Sequence, residues 1–269
     1  MRKRIHFNRY LAFTLCLLLT VTGVIAQEAN NNYMPQIGQL GKDVIWVPTP
    51  QTLVDTMIAI ANVTSADYVI DLGSGDGRLV ITAAKRGATS LGIEYNPDMV
   101  ELARRNAMEE GVSATATFKQ ADIFESDFSK ATVITLFLHS DINLKLRPQL
   151  LDMKPGTRIV SNTFDMNDWE PDQTTILNDY TSWSIAHLWI VPAKVEGDWT
   201  LDGGQIKFTQ QFQYIIGTLT IGGKNMELSG KLNGDKISFN AGGTAYTGTV
   251  SGNTISGTIA VGGTWKATR

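Results

Sequence analysis

The sequence predicts an α/β fold, a doubly wound and mostly parallel sheet, followed by a small antiparallel all-β domain. From Val47 to about Pro192, short apolar runs alternate with amphipathic stretches, which is typical of strands and helices alternating along a parallel sheet. After Pro192 helix-forming residues almost vanish, and 15 of the chain's 25 glycines lie between Gly197 and Gly263. The 269 residues suffice for one full-sized domain and a smaller one.

The first of these regions predicts five strands and four helices. The predicted strands are 69–72, 90–93, 115–118, 133–138 and 158–161, and the predicted helices are 51–61, 78–85, 97–110 and 144–153. Thr49 before Pro50 and Asn96 before Pro97 each place a capping side chain ahead of a proline at the first helical position. Gly111 predicts the end of the third helix.

The glycine-rich tail predicts an antiparallel meander of short hairpins, either a small sheet or a barrel. Turn pairs recur about every ten residues between alternating runs such as 236–239. These pairs include Gly222-Gly223, Asn233-Gly234, Gly242-Gly243, Gly252-Asn253 and Gly262-Gly263.

Residues 1–26 predict a secretory signal peptide. Basic residues, from Arg2 to Arg9, come before an apolar run over 11–26 that ends in Val24-Ile25-Ala26. The run is shorter than the roughly 20 residues that span a bilayer, which favours cleavage and export to the periplasm or another extracytoplasmic site. An uncleaved signal, tethering the protein to the membrane, is the alternative. We expect a linker over 27–45, the first domain over 46–193 and the β domain over 194–269.

Composition excludes several classes of partner. Without residues 1–26 the chain carries 19 basic and 26 acidic residues, a formal charge of −7, so we expect no nucleic-acid partner. That part of the chain has no cysteine and two histidines, so we expect no metal site. Membrane contact is expected only through the signal, if it stays uncleaved.

A glycine-rich turn follows the first predicted strand. The strand ends in Asp71 and leads into Gly73, Ser74, Gly75 and Gly77 before a helix begins. Such a turn lies at the carboxyl edge of a doubly wound sheet, where ligands bind. Glycine there lets a ligand approach the backbone without meeting a β-carbon.

Acidic residues follow the next two strands in the right order for a nucleoside ligand. Glu94, 23 residues after Asp71, offers a carboxylate to both hydroxyls of a ribose. Asp122 offers an acceptor to an adenine amino group, and Ile123 with Phe124 offers an apolar wall to the ring. As a loop acid, Asp122 also fits a simple turn cap.

The main alternative is a dinucleotide site, whose pattern is G-x-G-x-x-G. Here the third glycine, Gly77, comes one residue early, and Asp71 precedes the turn. A carboxylate at that position attracts the ammonium of S-adenosylmethionine but repels a pyrophosphate. The residues therefore favour S-adenosylmethionine as cofactor.

Several segments together resemble the class I, seven-strand Rossmann-like methyltransferases. They are Val47 to Pro50, Asp71 to Arg78, Asn143 to Pro148, Lys154 to Ser161 and Phe164 to Trp169. The resemblance covers roughly residues 45–192 and is greatest to non-SET protein-lysine methyltransferases of bacteria and mitochondria. It implies that cofactor-binding residues fall on Asp71, Gly73, Ser74, Gly75, Glu94, Asp122 and Ile123. Two departures are Leu138-His139-Ser140, where many relatives have a proline, and Asn167, where many have glycine.

The resemblance implies methyl transfer to an amine, with a protein lysine as the candidate acceptor. Candidates for the acceptor pocket are Thr49, Phe137, His139, Asn143, Asp165 and Trp169. Asn143 also fits a cap for the helix predicted from Leu144, and Trp169 also fits packing on the sheet. The alternative function is a catalytically silent cofactor-binding domain carrying an extracytoplasmic β binding module.

Overall fold

The computed structural model describes residues 33–178 and 183–269, which include one mixed sheet and one closed barrel. The predicted signal peptide, residues 1–26, lies outside the described residues. Tyr33 to Arg269 forms one compact unit. Within the described residues, none of the helices is both long and apolar enough to span a membrane.

The sheet has seven strands, two more than the residue pattern predicted and the number that the family resemblance implies, and helices cover its faces. The strands are β1 (Tyr68–Leu72), β2 (Thr89–Glu94), β3 (Ala116–Gln120), β4 (Val133–Leu136), β5 (Arg158–Asn162), β6 (Gln173–Ile176) and β7 (Ile185–Ile190). The helices are α1 (Gln51–Ile60), α2 (Arg78–Lys85), α3 (Pro97–Glu109) and α4 (Ser140–Leu151). Across the sheet the order is β3-β2-β1-β4-β5-β7-β6, and only β7 runs antiparallel to its neighbours.

Strand β1 is buried on both faces and shows how the sheet divides the core. Ile70 and Leu72 pack in one apolar cluster with α4, and Val69 packs in another with α1. Successive side chains of a strand point to opposite faces, so Asp71, two residues after Val69, points to the same face as Val69. The sheet thus places a carboxylate in its interior, at the carboxyl end of a central strand.

The helix boundaries confirm some local predictions and correct others. Asn96 caps α3, because its side chain accepts a hydrogen bond from the backbone N–H of Asp98, and Gly111 follows the end of that helix with a φ of 69°. Thr49 does not cap α1; its hydroxyl instead accepts a hydrogen bond from Asn162. Helix α4 begins four residues before the predicted start, so Asn143 lies inside it and does not cap it.

The tail is a closed eight-stranded barrel built as a meander. Its strands are β8 (Gly197–Leu201), β9 (Gly204–Gln211), β10 (Tyr214–Ile221), β11 (Lys224–Asn233), β12 (Lys236–Ala241), β13 (Thr244–Ser251), β14 (Thr254–Ile259) and β15 (Thr264–Thr268). Closure comes from pairing β15 with β8. Inward-facing apolar side chains, including Trp199, Phe208 and Phe239, fill the interior, so the barrel is a packed core.

The barrel packs against the sheet region through two of its connections. The first is the β9–β10 hairpin, whose Phe212 lies against the main apolar cluster of the sheet. The second is the turn at Gly234, whose carbonyl accepts a hydrogen bond from Ala193 N. These contacts join the barrel to the sheet on the side of β5 and β7.

Candidate active site

A cavity of about 160 Å³ opens at the carboxyl ends of β1, β2 and β4. It is lined by the residues predicted to bind the cofactor, Asp71, Gly73, Ser74, Gly75, Glu94, Asp122 and Ile123. Strands far apart in sequence bring these groups together because a parallel sheet collects its carboxyl ends along one edge.

The glycine-rich turn is fixed by backbone hydrogen bonds. Gly73 N and Ser74 N both donate to the carbonyl of Ile93, at 2.9 and 3.1 Å, which ties the turn to the end of β2. Gly73 and Gly75 have φ values of 80° and 52°, in the left-handed region that favours glycine. A bare backbone therefore faces the cavity at two positions.

Gly77 serves packing, one of the functions that its place in the turn allows. A β-carbon there would lie 2.7 Å from the ring of Phe118 and 2.9 Å from the β-carbon of Ala103. Gly77 therefore lets α2 begin close against β3 and α3.

Asp71 is a buried carboxylate at the cavity wall. It is 2 % exposed and accepts a 2.6 Å hydrogen bond from the hydroxyl of Thr135. The pKa of Asp71 is raised to about 7, mainly by burial and also by the nearby carboxylates of Glu94 and Asp76, whereas the Thr135 hydrogen bond lowers it. Negative charge at this position is costly until a cation pairs with it.

Glu94 is held in a defined orientation by backbone donors. One carboxylate oxygen accepts from Gly75 N at 3.0 Å and the other from Asn96 N at 2.9 Å. Each carboxylate oxygen can accept two hydrogen bonds, so Glu94 keeps capacity for two hydroxyl donors. Its position and capacity fit the ribose of S-adenosylmethionine.

The carboxylate of Asp122 has two partners in this structure. One oxygen caps the short 3-10 turn Ile123–Glu125 through Phe124 N at 2.9 Å, and the other pairs with Lys42. These bonds hold the pKa of Asp122 below its usual value, with the Lys42 hydrogen bond as the largest cause. The carboxylate thus joins the cavity wall to a segment that precedes α1.

That segment, residues 39–46, we call the strap. It lines one side of the cavity, and the amine of Lys42 lies 5.0 Å from the ring centroid of Tyr95. The indole nitrogen of Trp46 would lie 2.8 Å from a β-carbon at Gly75. Most of the strap belongs to the predicted linker, so the composition of residues 27–45 gave no sign that part of them lines the site.

The opposite end of the cavity is aromatic. Phe137 and Trp183 make an edge contact with centroids 5.2 Å apart, and His139 lies 4.8 Å from Phe164. Phe164 also lies 6.1 Å from Phe137, so the four rings form one cluster, which we call the aromatic wall. Phe164 and Trp183 were missed from the sequence, although Phe164 follows β5 at the edge where ligands bind.

The acceptor-pocket candidates separate into two groups. Thr49, Phe137 and His139 line the cavity, with Thr49 only 4 % exposed. Asn143, Asp165 and Trp169 lie outside its lining. Asn143 and Asp165 hold the loop that carries Phe164, and Trp169 is fully buried in the core. Trp169 thus takes the packing role that its sequence position also allowed.

Arg78 links the glycine-rich turn to the segment before α1. Its guanidinium donates to the carbonyl of Thr49 at 2.6 Å and forms an ion pair with Asp76. The glycine-rich turn is therefore braced against the segment leading into α1, where Thr49 lies.

This fold and site define a class I S-adenosylmethionine-dependent methyltransferase. Residues 71–173 match the sequence profile of the ANTKMT methyltransferase domain. A protein-lysine N-methyltransferase of Saccharolobus islandicus is 38% identical over 151 residues, which are 55% of this chain and 94% of that protein. The chain belongs to the methyltransferase family that includes this archaeal protein.

Two further relatives bear on the site. The adenine nucleotide translocase lysine N-methyltransferase of Mus musculus is 33% identical over 105 residues, 38% of this chain and 46% of that protein. A crystal structure of an RNA methyltransferase from Salinibacter ruber with S-adenosyl-L-homocysteine is 46% identical, covers 55% of this chain and 96% of its own, and has a TM-score of 0.53. The cofactor of this chain is S-adenosylmethionine, and a catalytically silent domain has no support among these relatives.

Proposed function

We propose that the chain transfers a methyl group to an amine, with the side chain of a protein lysine as acceptor. The observation that carries this proposal is the aromatic wall of Phe137, His139, Phe164 and Trp183 in the same cavity as the cofactor residues. The lysine methyltransferases among the relatives support it.

The cofactor residues act through charge and position. Asp71 carries the negative charge that pairs with an ammonium, and Glu94 offers its carboxylate to the ribose hydroxyls. When bound, S-adenosylmethionine supplies a methyl group made electrophilic by its sulfonium. Catalysis then depends on holding the acceptor close and aligned in a dry pocket.

The aromatic wall prepares the acceptor in two opposing ways. Ring faces attract an ammonium by ~0.5–2 kcal/mol, which favours the charged form. Removal from water favours the neutral amine and shifts a buried lysine's pKa by up to ~3–5 units, each unit being worth ~1.4 kcal/mol. Desolvation is the larger effect. The wall therefore favours the neutral amine, which is the nucleophile, over the charged ammonium.

The RNA methyltransferase among the relatives raises a second acceptor class. Affinity for RNA depends on clustered basic residues. The chain without residues 1–26 has a formal charge of −7, which favours the amine.

The test incubates the full chain and tritiated S-adenosylmethionine with an extract of its source cells. Label on lysine after hydrolysis, lost when the extract's amines are acetylated beforehand, supports the proposal. Label confined to the RNA fraction contradicts it. Phe164→Ala should lower transfer to lysine about tenfold, because water then reaches the acceptor amine and about one unit of its pKa depression is lost. Gly73→Arg should abolish transfer by filling the turn.

A further inference from the structure

The loop between β5 and β6, residues 163–172, carries Phe164, and its backbone adopts an energetically unfavourable conformation at two positions. Thr163 and Asn167 have φ values of 61° and 58°, a region that non-glycine residues adopt rarely. Such conformations persist only where the surrounding structure enforces them. The contacts of this loop therefore determine where the ring of Phe164 lies.

Helix α4 holds the loop from one side. The side-chain amide of Asn143, which is fully buried, donates to the carbonyls of Phe164 and Asp165 at 3.3 and 3.2 Å. One turn later, Arg147 donates to the carbonyl of Met166 at 2.9 Å and pairs with Asp168 at 2.5 Å. Two side chains of one helix thus fix the carbonyls of three successive residues.

The barrel holds the same loop from the other side through Phe212. Its ring stacks on Trp169, with centroids 5.9 Å apart and planes 17° from parallel. The guanidinium carbon of Arg147 lies 5.3 Å from the centroid of the same ring. Phe212 therefore contacts both a loop residue and the arginine that binds the loop.

Three more barrel side chains bind the end of the loop. Gln213, fully buried, donates to the carbonyl of Glu170 at 2.8 Å, and the hydroxyl of Tyr214 donates to the carboxylate of Glu170 at 3.1 Å. Lys231 forms a 2.8 Å ion pair with Asp172. The barrel contacts of the loop thus begin at Trp169 and continue to its last residue.

We propose that the barrel is part of the acceptor site, and that Phe212 is a positioning residue that fixes the Phe164 loop through Trp169 and Arg147. Residues 71–173 match the methyltransferase profile, so the barrel residue Phe212, which supports the loop, lies outside the matched region. The claim that the barrel is part of the acceptor site rests on the function proposed above, whereas the positioning of the loop can be measured without any acceptor.

The experiment is hydrogen–deuterium exchange on the full chain, comparing wild type, Phe212→Ala and Phe212→Tyr. In Phe212→Ala the amides of 163–169 should exchange about tenfold faster because the stack no longer restrains the loop. Amides of β1 and β12 should keep their protection, S-adenosyl-L-homocysteine should bind within about twofold of wild type, and Phe212→Tyr should restore slow exchange. Thr258→Ala, on the outer face of the barrel, is the control without effect.

Unchanged exchange at 163–169 in a folded Phe212→Ala overturns the proposal. A uniform rise across the chain also overturns it, because the barrel would then support the whole fold and not the loop. With a lysine acceptor, Phe212→Ala should lower kcat about tenfold with the KM for S-adenosylmethionine unchanged. Faster loop exchange combined with no lysine methylation by wild type would leave the positioning role standing and reject the proposed function.

Discussion

At the scale of single residues, the balance of forces on Asp71 decides how the site responds to pH. Folding buries this carboxylate beside two other acidic groups, Glu94 and Asp76, and raises its pKa to about 7. In the free protein Asp71 is therefore partly protonated at neutral pH. Binding a cationic ammonium favours the ionised form, so binding releases a proton in this range.

The expected result is a cofactor affinity that depends on pH through Asp71. Below pH 7 the affinity for S-adenosyl-L-homocysteine should fall about tenfold per pH unit, and above pH 8 it should level off. Asp71→Asn should bind more weakly and with little pH dependence. Calorimetric titration from pH 5.5 to 8.5 measures both, and an equal slope in the variant would contradict the assignment.

Asn167 shows how residue type and backbone agree. The resemblance marks this position as one where many relatives have glycine, and here asparagine adopts a φ of 58°. Asparagine tolerates the left-handed region better than most residues. The departure from the family pattern thus preserves the backbone that the loop requires.

Sequence predicts some site residues better than others for a physical reason. Asp71 and Glu94 end buried strands, so periodicity alone indicates where they lie. The roles of Thr49 and Asn143 depend on partners far along the chain: the hydrogen bond between Thr49 and Asn162 spans 113 residues. Local capping preferences are wrong at both positions because tertiary partners are available.

At the scale of elements, the contribution of close packing around Gly77 to stability can be measured separately from the contribution of its backbone conformation. Gly77 and Gly111 have φ values of 84° and 69°, but a β-carbon would meet Phe118 and Ala103 only at Gly77. Gly111→Ala should lower the free energy of unfolding by ~1 kcal/mol through backbone strain alone. Gly77→Ala should lower it by a further ~1–3 kcal/mol through overpacking.

Urea unfolding of the two alanine variants measures the difference directly. Equal losses of stability would show that α2 does not depend on close approach to β3 and α3. Because both variants share the same change of residue and a similar φ, the Gly111 variant is a matched control.

The strap is the element whose position should change with ligand. The cavity beneath it measures about 160 Å³, smaller than the ~300–1,000 Å³ of pockets that enclose small ligands. Lys42→Ala removes the ion pair with Asp122 and should raise the dissociation rate of S-adenosyl-L-homocysteine about two- to fivefold, as expected for an exposed pair.

Stopped-flow displacement followed by tryptophan fluorescence measures that rate. Lys85→Ala, which breaks the exposed pair with Glu110 on the helices, is the matched control and should leave the rate unchanged. Identical rates in wild type and Lys42→Ala would show that the Lys42 pair does not restrain the strap.

At the scale of the whole molecule, the sequence predicts the barrel's strands but not its closure. Turn pairs and alternation mark each hairpin locally. Closure depends on pairing Leu201 with Ala267, and attachment depends on the stack of Phe212 on Trp169, which are contacts between distant residues. The residue pattern did not predict β6 or β7 either; β7 lies between β5 and the edge strand β6 and returns antiparallel, outside the alternating strand–helix pattern.

We propose that the protein is exported through its N-terminal signal. The basic start and the apolar run over 11–26 support this proposal. Mass spectrometry of the protein from its source cells should find a chain that begins at Gln27. An intact N-terminus on membrane-bound protein would favour the tethered alternative, and an intact N-terminus in the cytosol would contradict export.

The most direct test of the account is calorimetric titration of the full chain with S-adenosylmethionine and S-adenosyl-L-homocysteine, repeated on Glu94→Ala. Glu94 is fixed by Gly75 and Asn96 at the centre of the predicted site, so its loss should weaken binding at least about tenfold. Glu101→Ala, an exposed acid on α3, should bind as wild type does. Tight binding that Glu94→Ala loses is the predicted result; a folded wild-type protein that binds neither ligand would contradict the central claim.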